Sequence, residues 1–136
     1  MGTEGVVVRW YASLTKKSAA DFEMLAQRVA SEVSPGSSVL EVAPGPGYFA
    51  IELAKRGDYR VTGLDISATF VEIARANAAG AGVQANFQRG DASRMPFDGE
   101  QFDYVVCRAA FKNFVAALQE TYRVLKPGGW PPIIDI

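Results

Sequence analysis

The stretch from Ser38 to Arg56 limits the possible folds of this chain more than any other. A short apolar run, Ser38-Val39-Leu40-Glu41-Val42-Ala43, breaks into Pro44-Gly45-Pro46-Gly47. A helical pattern follows from Tyr48 to Arg56, with Phe49, Ala50, Leu53 and Ala54 on one face and Gly57 as its stop. A strand that passes through so tight a turn into a helix folds back onto its own sheet as a right-handed crossover to a parallel neighbour. One such unit needs others beside it to bury both faces of the sheet.

The chain supplies them. Arg60 to Asp65 reads as a second strand, Ser67 as an N-cap, and Ala68 to Ala79 as a helix expected to bury Phe70, Ile73 and Ala74 before Gly80 and Gly82. Val83 to Gln88 reads as a third strand leading into Gly90-Asp91, and Asp103 to Cys107 as a fourth with the continuous apolarity of a strand covered on both faces. Residues 92–101 read as loop. A helix is expected from Asn113 to Lys126 with Phe114, Leu118, Tyr122 and Leu125 along its buried stripe, then a fifth strand from Ile133 to Ile136. Upstream, Ser18 and Asp21 have capping-box spacing ahead of Phe22, Leu25, Ala26, Val29 and Val33 at helical intervals. Alternation of this kind implies an α/β domain with a mainly parallel sheet, whose ligands gather at the carboxyl ends of the strands.

Composition removes several classes of function. With 136 residues, 49% of them apolar, one core accounts for the chain. The formal charge of −1 with scattered basic residues argues against a nucleic-acid partner. No apolar run approaches the roughly 18 residues of a membrane span, and the N-terminus lacks a signal-peptide layout, so no membrane partner and a cytoplasmic location are expected. Cys107 is the single cysteine and histidine is absent, which leaves no internal disulfide, no zinc site, and no Ser-His-Asp or Cys-His catalytic group.

What remains is the turn and the acids around it. Gly45 and Gly47 allow a sharp bend and close approach of a ligand to the main chain. The run Gly45-Pro46-Gly47-Tyr48-Phe49-Ala50 satisfies the dinucleotide pattern G-x-G-x-x-A, with Asp65 about twenty residues on. Glu41 favours a different cofactor. A carboxylate there would repel a diphosphate, whereas it suits the sulfonium and α-ammonium charges of S-adenosylmethionine. It could equally bond the N–H groups of the loop itself. Asp65 is placed to accept from two ribose hydroxyls, or to serve as an N-terminal carboxylate for the next helix. Asp91 can accept from an adenine amine while Ala92 N–H donates to the ring; the competing reading is a turn aspartate.

The strings VLEVAPGPGYFAIELAK, VTGLDIS, RGDASRMPFDGEQFDYVVCRAAFKNF and ETYRVLKPGG occur in that order, and together they resemble the small-molecule branch of the class I S-adenosylmethionine-dependent methyltransferases, the ubiquinone/menaquinone-biosynthesis-like group. The resemblance covers about residues 18 to 136. It implies a Rossmann-like three-layer sandwich forming a single cofactor-binding core over residues 1–136, with 1–17 as an N-terminal segment able to act as a lid. It further implies S-adenosyl-L-methionine as cofactor, no metal, and methyl transfer to a small-molecule acceptor. Glu41, Ala43, Gly45 and Gly47 would wrap the methionine part, Asp65 with Ile66 the ribose side, and Asp91 with Ala92 the adenine. Cys107 and Arg108 would border the methyl group. Tyr11, Arg108 and Lys112 are the candidates for catalysis, though Tyr11 reads equally as a packing aromatic and Lys112 as a solvated helix-start residue.

Two departures from the family pattern stand out. Glycine is usual at the position of Ala43, and the added Cβ with Pro44 and Pro46 should stiffen the loop and weaken or slow cofactor entry. The family also continues past the fifth strand, so the sheet is expected to lack its usual C-terminal strands. Pro131 and Pro132 suit an edge position there, and an open apolar edge would promote homo-oligomers. Two alternative functions stay open at this stage: a module that binds S-adenosylmethionine without catalysis, and a nicotinamide-dependent oxidoreductase half.

Overall fold

The structure, a computed structural model, describes residues 7–9, 19–107, 113–128 and 131–135. Among the described residues, six strands form one sheet: β1 (Val7–Arg9), β2 (Ser38–Val42), β3 (Arg60–Asp65), β4 (Asn86–Arg89), β5 (Tyr104–Cys107) and β6 (Ile133–Asp135). Four helices join them: α1 (Ala19–Glu32), α2 (Tyr48–Ala54), α3 (Ala68–Ala81) and α4 (Phe114–Val124). The strand order is β1-β6-β5-β2-β3-β4 and each pair is parallel. From β2 the chain winds outward through β3 to β4, then returns to β5 on the other side of β2. The direction of winding therefore reverses beside the carboxyl end of β2, the place at which open sheets of this kind hold ligands in a crevice between diverging connections.

Side-chain alternation along the strands divides the core into two layers. Val39, Val61, Phe87, Tyr104 and Val106 face α1, α2 and α3, while Leu40, Val42, Leu64, Val105 and Cys107 face α4 and the 92–102 segment. Gly63 lies opposite Phe87 in the register, and a Cβ built on it would stand 2.6 Å from the Phe87 ring and 3.0 Å from Pro44. A side chain at that point would displace the phenylalanine, which in turn supports the turn after β2. The outer strand β4 is protected: Arg75 donates twice to the Phe87 carbonyl, at 3.0 and 2.8 Å. Engaging that carbonyl with a charged side chain limits what a strand of another molecule could pair with.

Several expectations need correction. The C-terminal strand is not an edge, because β1, which the sequence pattern did not announce, pairs along it from Val7↔Ile133 to Arg9↔Asp135. Pro131 and Pro132 precede the strand and remove no ladder donors from it. The premise for homo-oligomers through an open C-terminal edge therefore falls. On α3, Val71, Ala74 and Ala78 are buried, while Phe70 and Ile73 are exposed. Small alanines let this helix lie close to the turn after β2, and that rotates the bulkier residues outward. On α4 Ala117, Thr121 and Val124 are buried; of the expected stripe Leu125 is buried and Phe114 and Leu118 pack partly buried against the core, while Tyr122 is exposed. The third strand begins at Asn86, because Val83 is still tied to the preceding helix by its N–H to Ala78 O. Ser18 lies outside the described residues. Among those described, no helix is long and apolar enough to cross a membrane, and no group of three metal-ligating side chains occurs.

Candidate functional site

The turn after β2 is held in an unusual backbone conformation. Ala43, Gly45 and Gly47 all have positive φ, of 64°, 57° and 88°. Glycine adopts this region freely, whereas an L-residue pays roughly 1 to 2 kcal/mol for it. Ala43 is therefore a strained residue at the position where glycine was expected. Replacing Ala43 with glycine should stabilise the fold by about 0.5 to 1 kcal/mol, after the greater freedom of glycine in the unfolded chain is offset. A urea midpoint that does not rise at unchanged slope would contradict this.

Pro44 and Pro46 have no N–H, so the turn has three N–H groups, and all three are engaged. Ala43 N donates to Leu64 O at 2.8 Å, Gly47 N to Pro44 O at 3.0 Å, and Gly45 N to Asp65 Oδ2 at 3.0 Å. None is directed at an incoming anion. The N–H groups of the turn itself are thus spent on carbonyls and on a carboxylate. Asp65 is thus one carboxylate that bonds this loop.

Asp65 closes β3 and is buried; its Oδ1 accepts from Ser67 N at 2.9 Å while Ser67 Oγ accepts from Phe70 N to start α3. One carboxylate thus joins the turn to the next helix. An ionised carboxylate has about four acceptor sites, so two hydrogen bonds to the backbone leave capacity for a ligand. Glu41, only 1% exposed, lies between Gly63 and Val106 in the register and shares a face with Val39. Ile66, next after Asp65, is 64% exposed, an apolar surface beside the carboxyl ends of the strands.

Asp91 is exposed at the end of the β4 connection. Its Oδ1 accepts from Ser93 N at 2.8 Å and Ser93 Oγ at 2.7 Å, and these two bonds, the backbone one first, hold its carboxyl below the usual range. The turn-aspartate geometry is thus present, and it fixes the carboxylate ahead of the half-buried Ala92. The segment beyond is clamped to α4. Arg123 donates to Phe97 O at 2.8 Å and Met95 O at 3.0 Å, and pairs with Glu120 at 2.7 Å, while Glu120 Oε1 accepts from Met95 N at 2.7 Å.

Cys107 is a correction to the expected site. Its side chain is buried in the α4 layer, with Sγ 3.6 Å from Thr121 Oγ1. The threonine proton is already given to Ala117 O, so the thiol is the donor in that contact. Burial above all pushes the thiol up to about 12, which removes it as a nucleophile at neutral pH. Only its backbone can border the crevice. Tyr11, Arg108 and Lys112 lie outside the described residues. The structure brings Ala43, Gly45, Gly47 and Asp65 into one hydrogen-bonded unit and sets Ile66 and Asp91 on the neighbouring connections. Gly63 was missed, although a glycine inside an apolar strand is itself a sign of close packing.

Residues 39–129 match the family described as a methyltransferase domain. The chain is 40% identical over 95 residues to the demethylmenaquinone methyltransferase of Deinococcus radiodurans, covering 67% of this chain and 39% of that protein. Among solved structures, it resembles a SAM-dependent methyltransferase from Methanosarcina mazei with a TM-score of 0.66 and 30% identity, over 74% of this chain and 53% of the other. It also resembles the cyclase SpnF with a TM-score of 0.76 and 27% identity, over 88% of this chain and 47% of that one. The chain spans less than half the length of the curated relatives it matches, 39% of one and 46% of another.

Proposed function

This chain belongs to the class I S-adenosylmethionine-dependent methyltransferases, and from that premise we propose that it binds S-adenosylmethionine in the crevice beyond β2, β3 and β4 for methyl transfer to a small molecule. The observation that carries the reading is the direction of the turn's N–H groups. Gly45 N–H is committed to the Asp65 carboxylate, and the buried Glu41 adds a second acid on the strand that leads into the turn. A cationic ligand without phosphate fits that charge. Space fits as well, since a Cβ on Gly45 would meet nothing within 4 Å, so a ligand can lie directly against the main chain there.

In this reading Asp65 orients the ribose, Ile66 offers an apolar surface beside it, and Asp91 with Ala92 receives the adenine. When bound, S-adenosylmethionine supplies a methyl group on a sulfonium, already activated for in-line displacement. The work of the chain is to align that methyl with the acceptor and to exclude water. If the acceptor must lose a proton, Tyr11 and Lys112 are the candidates in this sequence, which has no histidine, with Arg108 as an electrostatic stabiliser, or a carboxylate supplied by another region. The 1–136 chain acts as one cofactor-binding core in a cytoplasmic setting. Demethylated quinones are the first acceptors to test, because that class names the Deinococcus relative.

A second reading is favoured by the cyclase SpnF: a protein of the same fold carries a different activity in its name, so the core could hold the cofactor without transferring its methyl group. Calorimetry with S-adenosylmethionine, its demethylated product and NAD side by side tests the binding. We expect saturable binding of the first two and none of NAD. Binding of NAD alone would refute the reading, and binding without transfer of labelled methyl to any quinone or related small acceptor would favour the second one.

A further inference from the structure

The turn after β2 has one more attachment, and it comes from an unexpected element. Asn77, in the third turn of α3, donates from Nδ2 to Pro46 O at 2.9 Å, across 31 residues of chain. Asparagine is a weak helix former, and its side chain competes for nearby backbone groups. Here it is half-buried and reaches away from its own helix to a carbonyl of the turn.

The geometry points to Asn77 as a positioning residue for the cofactor turn. Pro46 O lies between Gly45, whose open side faces the crevice, and Gly47, whose Cα is pressed on by Ala74 from the same helix, 3.0 Å from where a Cβ would stand. Asp65 holds the turn from the end of β3 through Gly45 N, Ala74 of α3 packs against it in the middle, and Asn77 holds it one turn further along that helix. Two contacts from α3 and one from the end of β3 fix three consecutive residues, Gly45, Pro46 and Gly47. A glycine on each side of Pro46 gives the turn the backbone freedom to relax if one contact is removed. Losing the Asn77 bond frees the Pro46 carbonyl to rotate and widens the range of positions open to Gly45, the residue placed against the ligand. The assignment rests on the cofactor reading above for its functional consequence, but not for its structural one.

Two variants of the full chain test it. Asn77→Asp keeps the shape but sets a carboxylate oxygen against the carbonyl, and Asn77→Ala removes the donor at a helical position that tolerates alanine well. Without any cofactor, amide hydrogen exchange at Gly45 and Gly47 should quicken by about tenfold in both variants, the scale of one lost hydrogen bond, while exchange in β2 and β5 stays at the wild-type rate. The Kd or KM for S-adenosylmethionine should rise by about five- to tenfold, with kcat at saturation unchanged. Exchange and affinity both within twofold of wild type in the two variants would overturn the assignment and leave the cofactor reading intact. Faster exchange in variants of a protein whose wild type binds no S-adenosylmethionine would support the Asn77 brace but overturn its role toward that cofactor. Uniformly faster exchange through the core would make Asn77 a general stability residue and would also overturn it.

Discussion

Gly47→Ala is expected to be strongly destabilising, costing about 2 to 5 kcal/mol, whereas the same change two residues earlier should be tolerated by the fold. Both positions have positive φ, 88° at Gly47 and 57° at Gly45, so both substitutions carry the left-handed penalty of roughly 1 to 2 kcal/mol. They differ in what the new atom meets. At Gly47 it would stand 3.0 Å from the Ala74 Cβ and 3.0 Å from the Phe87 ring, in a core that cannot yield without moving α3 or β4, and overpacking of that kind adds about 1 to 3 kcal/mol. At Gly45 it projects into open space. Gly45→Ala should therefore cost only the backbone term in a urea titration, yet lower cofactor affinity, because its methyl occupies the side of the turn proposed to face the ligand. Equal losses of stability for the two variants would show that the turn packs differently from the geometry described. A stable Gly45→Ala with full cofactor affinity would remove Gly45 from the site.

The contrast between these two glycines also marks what could be read from the sequence. Proline, glycine and a change in hydrophobic period are local signals, so the order of strand, turn and helix and the parallel sheet could be anticipated from residues 38–107. The use to which each glycine is put depends on α3 and β4, and those contacts bridge distant parts of the chain. The same holds for the face of α3. A helical pattern containing Phe70, Ile73, Val71 and Ala74 does not decide which stripe turns inward, and the close approach of Ala74 to Gly47 decides it for the smaller residues. β1 escaped notice because a strand of three residues, Val7–Arg9, has too little pattern of its own and exists by pairing with β6. In the site, Asp65 and Asp91 were identified by type and position. Their hydrogen bonds were not: that Asp65 reaches back across twenty residues to Gly45 N is a long-range contact with no signal in the local sequence.

That brace sets the expectation for Asp65. Replacing it with alanine leaves Gly45 N and Ser67 N without their acceptors, and a stability loss of roughly 1 to 3 kcal/mol follows from orphaned donors in a buried position. Asp65→Asn keeps one acceptor oxygen, so it should lose less. If the remaining lone pairs of Asp65 receive the ribose hydroxyls, both variants also lose cofactor affinity, by about 1.5 to 3 kcal/mol for a charged hydrogen bond. A fall in affinity alone does not separate direct contact from a distorted turn, since Gly45 moves in both cases. A double-mutant cycle does. Wild-type protein should bind the demethylated product more tightly than the analogue lacking the ribose 2′-hydroxyl, and Asp65→Asn should discriminate between them much less. Retained discrimination in Asp65→Asn would assign the carboxylate to the turn alone. The ribose would then be held by something other than the residue whose position at the tip of β3 first suggested it.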